Sequence, residues 1–303
     1  MTSFTDFLTA KRTVEDRALN RVVFQQFVDA LAERAADRGV DEPVRIIEIG
    51  VGTGSMIARL ADWDVLPPSV SYRAVDLDPE PLAVARRQLP EQLRAAGYTV
   101  ESTDDGMIAC REPRDGQPRR LELTLAVDDG FEITDEADAV IAGAVLDLVD
   151  LPAAVEDIKG LLVDEGVLYA PATFNGHTSF MPRAPLDDRI EELYHRQMDE
   201  IRDQPVSSRA GQQLLGVLPA AGYTVRAAGG ADWIVRPVDG AYPASESTVL
   251  AHLLSTIDGA LADYPPDVLD PERRSQWVEA RRKQVDRGEL TLVAHHVDVL
   301  ARL

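Results

Sequence analysis

From Val44 onward, short apolar runs alternate with stretches of helical period, and this alternation limits the possible folds more than any other feature of the chain. The runs are "VRIIEIG", "SYRAVDL", "LELTLAV", "ADAVIAG" and "GVLYAPAT", with helical segments at 55–62, 79–96 and 151–162 between them. Strands separated by helices need crossover connections, which are right-handed. The expected fold is therefore α/β, a doubly wound and mainly parallel sheet. The run "ELTLVAHHVDVLARL" is expected to insert as an antiparallel last strand.

Several segments depart from that rhythm. Residues 13–37 carry Leu19, Val23, Phe27, Ala30 and Leu31 at helical spacing and are expected to form one N-terminal helix. Residues 98–126 place a Pro-Arg-Asp-Gly turn between two extended runs, a β-hairpin elaborating the third strand. "FNGHTSFMPRAP" reads as a loop, followed by helices near 186–202 and 209–221. "YTVRAAGGADWIVRPV" offers a kinked or paired strand, and two more helices are expected near 246–263 and 271–287. No repeat or long linker divides the chain, so 1–303 is expected to be a single domain.

The stretch "EIGVGTGS" closes the first strand with Gly50, Gly52 and Gly54, and Glu48 stands two residues before the first of them. A dinucleotide fingerprint, G-x-G-x-x-G, would put its third glycine at position 55, where the chain has Ser55. The spacing therefore argues against a nicotinamide dinucleotide. The next strand ends in Asp76, an acid placed to accept hydrogen bonds from a ribose diol. Asp78, before Pro79, is the better helix cap. Asp128 and Asp129 follow the strand "LTLAV", and Gly143 to Asp147 follow "ADAVIA".

This order of E-x-G-x-G-x-G, a second-strand acid, a third-strand acid and a Gly turn after strand four resembles the class I S-adenosylmethionine-dependent methyltransferases over about residues 40–175. The resemblance implies a Rossmann-like methyltransferase sheet with S-adenosyl-L-methionine as cofactor. It assigns Glu48 to ordering the turn, and Gly50, Gly52 and Gly54 to letting the backbone lie against the methionine portion. It gives Asp76 the ribose, Asp128 or Asp129 the adenine amino group, and Gly143 a place beside the cofactor. It divides the chain into an N-terminal helical cap at 1–40, a cofactor-binding half at 41–175 and a substrate-side half with helical insertions at 176–303. Helices before strand one often close over the cofactor in this family, which puts Arg17, Asn20 or Arg21 near its carboxylate.

Methyl transfer from a sulfonium needs proximity and exclusion of water more than a dedicated catalytic group. His177, beyond the fifth strand, is the first candidate for a base or for orienting the acceptor, because imidazole titrates near neutral pH. Tyr194 and His195 are weaker candidates. His295 and His296 lie on opposite faces of the last strand and read as structural. No Asn/Asp-Pro-Pro-Tyr/Phe run follows strand four, and no metal constellation stands out. Phe180, Met181, Tyr194, Met198, Trp233, Tyr242 and Trp277 are expected either to roof a small, partly apolar acceptor or to pack the insertions onto the sheet. The alternative is a non-catalytic module that senses the cofactor or uses the fold as a scaffold.

Charge narrows the partners. Asp and Glu total 52 against 31 Lys and Arg, a net charge of −21, with lysine only at Lys11, Lys159 and Lys283. Such a surface is expected of a salt-adapted protein or merely of an acidic enzyme, and either way it disfavours nucleic acid as a partner. A single cysteine, Cys110, excludes an internal disulfide and accords with a reducing compartment. "MTSFTDFLTAKR" lacks a signal peptide's long apolar stretch, and no run reaches the roughly 18 apolar residues of a membrane span. A cytoplasmic enzyme with a small-molecule acceptor is expected, with exposed terminal helices available for a homodimer.

Overall fold

The computed structural model describes residues 3–38, 42–104, 106–112, 118–201 and 207–303. In chain order the elements are α1 (Phe4–Ala10), α2 (Arg12–Ala18), α3 (Arg21–Arg38), β1 (Val44–Ile49), α4 (Ser55–Asp62), β2 (Ser69–Asp76), α5 (Pro79–Ala95), β3 (Thr99–Ser102), β4 (Gly106–Arg111), β5 (Arg119–Val127) and β6 (Ala137–Ala142). They continue with α6 (Leu151–Leu161), β7 (Leu162–Met181), α7 (Asp187–Arg196), α8 (Ala210–Ala220), β8 (Thr224–Gly230), β9 (Trp233–Val235), α9 (Glu246–Ala260), α10 (Pro271–Asp286) and β10 (Thr291–Arg302). A π-helical turn at Gln197–Ile201 extends α7.

One ten-stranded sheet carries the molecule, in the order β3-β4-β5-β2-β1-β6-β7-β10-β8, with β9 also on β10. The alternation seen in the sequence gives a parallel centre, β5-β2-β1-β6-β7. The parallel character is confined to those five strands. β3 and β4 add an antiparallel edge on one side, while β10 enters antiparallel between β7 and β8 on the other. β4 and β5 form the expected antiparallel pair, and the Pro-Arg-Asp-Gly turn assigned between them lies outside the described residues.

Both faces of the parallel centre are covered, so successive strand residues go to opposite cores. Ile46, Ala139, Ile141 and Tyr169 face the layer of α3, α4 and α5, whereas Ile47, Ile49, Val140 and Ala142 face α6 and α8. A third core, built on Phe174, Phe180, Trp233, Trp277 and Leu292, packs α1, α7, α9 and α10 together beyond the sheet's carboxyl ends. Among the described residues, no helix is long and apolar enough to cross a membrane.

Two expectations need correction. The N-terminal apolar stripe at 13–37 is divided between two helices, α2 and α3, because Leu19 leaves helical geometry (φ −49°, ψ 126°) and the Asn20 side chain accepts the Val22 and Val23 N–H groups as a fresh N-cap. "FNGHTSFM" is not a loop. β7 continues to Met181 because β10 supplies a partner for it, and Gly176 at φ +75° together with register shifts absorbs the irregularity that Asn-Gly suggests.

Candidate functional site

The strand order reverses between β1 and β6, and ligands of open α/β sheets sit at such a switch point, beyond the strands' carboxyl ends. The β1–α4 turn lies on one side of it. Gly50 and Val51 donate to Val75 O at 2.9 and 3.0 Å, and Gly54 donates to Val51 O at 2.9 Å. These bonds wind the turn so tightly that Gly50, Gly52 and Gly54 take φ of +71°, +54° and +82°. Side chains resist that region, so the backbone itself demands glycine.

The space the glycines leave is partly taken by the chain. A Cβ on Gly50 would collide with Val145 Cγ2, one on Gly54 would lie 2.9 Å from Leu89 Cδ1, and one on Gly52 would lie 3.4 Å from Leu8 Cδ1. Gly52 and the α4 N-terminus, Ser55 and Met56, retain room toward a cavity of about 60 Å³. That cavity is bounded below by Glu48, Gly50, Gly52 and Thr53, on the β6–β7 side by Gly143 and Ala172, and above by Leu8, Lys11, Ala231 and Trp233.

Asp76 ends β2 beside the turn. Its Oδ2 accepts the Gly52 N–H at 2.7 Å and its Oδ1 the Asp78 N–H at 2.9 Å. A carboxylate has about four acceptor positions, so capacity remains for a ligand. Asp78 caps α5 as expected, accepting from Glu80 N at 2.9 Å. Next to Asp76, Leu77 is 70% exposed, and Val127, paired with Asp76 in the ladder, is 55% exposed. Two bare apolar side chains thus flank the acid. Asp128 pairs with Arg73 at 2.9 Å, and Asp129 accepts the Phe131 N–H at 2.9 Å.

Glu48 is not hydrogen-bonded into the turn. It faces the α3–α4 side, accepts the Tyr72 hydroxyl at 2.6 Å, and is pushed up to about 7 by burial, which the Tyr72 bond only partly offsets. Asp298 is likewise pushed up to about 6 by burial, against the pull of the Ala172 and Asn20 N–H groups that it accepts at 2.8 and 2.7 Å. Arg59 is buried between Asp16, at 2.5 Å, and Glu15, at 3.4 Å. Burial alone would raise the Glu15 carboxyl, but Lys11, 2.9 Å away, and Arg59 hold it below the usual range.

The groups expected to meet a carboxylate are engaged elsewhere. Arg17 grips buried Glu246 at 2.5 and 2.9 Å, Asn20 caps α3, and Arg21 stacks over Trp63. Lys11 lines the cavity instead. His177 does not. Carried on the extended β7, it is half exposed and its Nδ1 lies 2.9 Å from Glu191. His195 Nε2 reaches Thr178 Oγ1 at 3.5 Å, and burial lowers its imidazole. Tyr194 packs at the border of the third core. His295 pairs with Asp232, while His296 is buried, stacked on Trp233 at 4.7 Å, and pushed down to about 4 by burial. The opposite-face expectation for the two histidines therefore holds. Among the described residues, no cluster of His, Cys, Asp or Glu is arranged to hold a metal ion.

Sequence reading passed over Lys11, Glu15, Arg59 and Asp298, which come from the N-terminal helices, α4 and β10. Lysine's scarcity was the one available signal, since one of only three lysines in the chain reaches the cavity.

No protein-family model matches the chain, and no curated protein sequence is similar to it. Similar solved structures include a SAM-dependent methyltransferase from Geobacter sulfurreducens in complex with S-adenosyl-L-homocysteine, at 12% identity over 90% of each chain with a TM-score of 0.41. The cyclopropane synthase MmaA2 from Mycobacterium tuberculosis is 11% identical over 92% of this chain and 84% of its own, with a TM-score of 0.41. A geranyl diphosphate methyltransferase in complex with GPP and sinefungin is 10% identical over 92% of this chain and 75% of its own, with a TM-score of 0.43. At identities and scores this low, any reading of function rests on this chain's own residues.

Proposed function

We propose that the protein is an S-adenosylmethionine-dependent methyltransferase acting on a small-molecule acceptor. The observation that carries this reading is a turn of three left-handed glycines at the switch point, with one N–H, that of Gly52, tied to the acid that ends the neighbouring strand. An adenosyl ligand matches what surrounds that acid: Asp76 keeps acceptor capacity for a ribose diol, and Leu77 and Val127 offer apolar cover for a flat base. Asp128 or Asp129 takes the exocyclic amino group. On the other side of the turn, the α4 N-terminus and Lys11 suit a carboxylate, and Glu48 suits an ammonium.

When bound, S-adenosylmethionine supplies a methyl group already activated by the sulfonium charge. The chain's task is to orient the acceptor and exclude water, which the lid of α1 and α2 does. Ligand pockets run to about 300–1,000 Å³, well above the present cavity, so Leu8 and α1 must swing back on binding. Isothermal titration with S-adenosylmethionine and S-adenosylhomocysteine tests the proposal. Wild type is expected to bind both, and Asp76→Ala to weaken binding by about 1–3 kcal/mol. Folded protein that binds neither refutes it.

The second reading is a non-catalytic scaffold, favoured by Val145 and Leu8 lying where a ligand's methionine portion would rest. It expects no binding, and no change in hydrogen exchange over residues 4–18 when either compound is added.

A further inference from the structure

The polar groups around the cavity are nearly all matched within the protein. Glu48 holds the Tyr72 hydroxyl, Asp298 holds two backbone N–H groups, and Arg59 lies between Asp16 and Glu15. Trp233 is the exception. It lines the cavity and is only 5% exposed, yet its indole Nε1 has no hydrogen-bond partner among the described residues. One ring face is covered by His296. Leaving a buried donor unmatched is costly, and native structures rarely tolerate it without a use.

A second donor stands beside it. Lys11 Nζ lies 5.7 Å from the Trp233 ring centroid and 5.9 Å from that of Phe7. Its one ion-pair partner among the described residues is Glu15, so two of its three N–H groups are available. One donor with no acceptor and one ammonium with N–H groups to spare beyond Glu15, at the wall opposite the glycine turn, match a ligand group that brings two oxygens and a negative charge.

We propose that the Trp233 indole N–H and the Lys11 ammonium form a carboxylate-binding pair in the cavity roof. Two sources offer that chemistry, the amino-acid tail of the proposed cofactor and a carboxylate on the acceptor. The cavity's identity as the transfer site rests on the proposed function; the pairing itself does not.

The test uses the full chain as wild type, Trp233→Phe and Lys11→Met, with thermal melts to establish folding. The probes are S-adenosylhomocysteine, 5′-methylthioadenosine, which lacks the amino-acid tail, and benzoate. Removing a hydrogen bond to a charged group corresponds to roughly tenfold in affinity. A tenfold loss for S-adenosylhomocysteine in both variants, with 5′-methylthioadenosine unchanged, supports the pair with the tail as its ligand. Unchanged S-adenosylhomocysteine binding with a tenfold loss for benzoate supports it with the acceptor as the source. Both variants matching wild type within about twofold for all three probes overturns it. If wild type binds neither nucleoside, the methyltransferase reading fails separately. The pair is then judged by the ¹⁵N–¹H indole resonance of Trp233, identified by its absence in Trp233→Phe: a benzoate-dependent shift, lost in Lys11→Met, upholds it, and no shift overturns it.

Discussion

The glycine turn and the roof above it bound one cavity, yet they are specified by different kinds of information. The turn is made by backbone, where three φ angles and three main-chain bonds, two of them to Val75 O on the neighbouring strand, leave little choice of residue. The roof is assembled from α1 and α2 at one end of the chain and the β8–β9 connection at the other, held by side chains far apart in sequence. Arg17 reaches Glu246 at 2.5 Å, and Phe7 stacks on His252 with centroids 4.2 Å apart. A backbone-coded site is rigid and readable, whereas a side-chain-coded one is open to variation.

The sharpest challenge to this contrast is Asp187, which supports the third core beneath the roof. Its carboxylate meets Arg281 at 2.5 and 2.6 Å and the Trp277 Nε1–H at 2.7 Å, with both members of the ion pair 2% exposed. Asp187→Ala strands a buried guanidinium and is expected to cost about 3–5 kcal/mol in urea unfolding. A cost under 1 kcal/mol would mean that this region does not depend on long-range pairs.

Within the turn, Gly50→Val combines left-handed strain with a collision against Val145 and is expected to cost about 2–5 kcal/mol. Gly52→Val meets only Leu8, so strain alone, about 1–2 kcal/mol, should remain. Equal losses by thermal unfolding would show that φ, rather than packing against Val145, sets the turn.

Glu48 provides a pH test. Its folded value, raised by burial from 4.5 to about 7, means the native state favours the protonated carboxyl. That contribution is fully present below pH 4.5 and disappears as pH rises through 7, a change of roughly 3 kcal/mol. Asp298 shifts in the same direction and leaves a residual slope. Glu48→Gln should flatten the decline in stability between pH 5 and 8, and an unchanged slope would place the titration elsewhere. The smallest effect is expected at Asp270, which caps α10 by accepting from Glu272 N at 2.8 Å. Asp270→Ala should cost about 1 kcal/mol, showing that local rules operate in residues 176–303 too, at lower stakes.

Legibility followed the same division. The parallel centre, the turn and the place of Asp76 at the end of β2 were readable because each leaves a short local pattern in the sequence, even though its partners lie far away. The break at Leu19 was missed because the apolar stripe continues through it at nearly helical spacing. The extension of β7 was hidden by Asn-Gly and Pro182, local turn signals that β10 overrides with ten paired positions. Lys11 and Asp298 could not be placed at all, since nothing near either residue announces a cavity.

β10 also orders events during synthesis. β8 and β9 pair only with it among the described residues, and Asp298 ties Asn20 and Ala172 to it. As the chain leaves the ribosome, the glycine turn can take its final form while Ala231 and Trp233 still lack the ladder that anchors them. The floor of the pocket thus rests on strands early in the chain, whereas its wall cannot be completed until the last strand is in place.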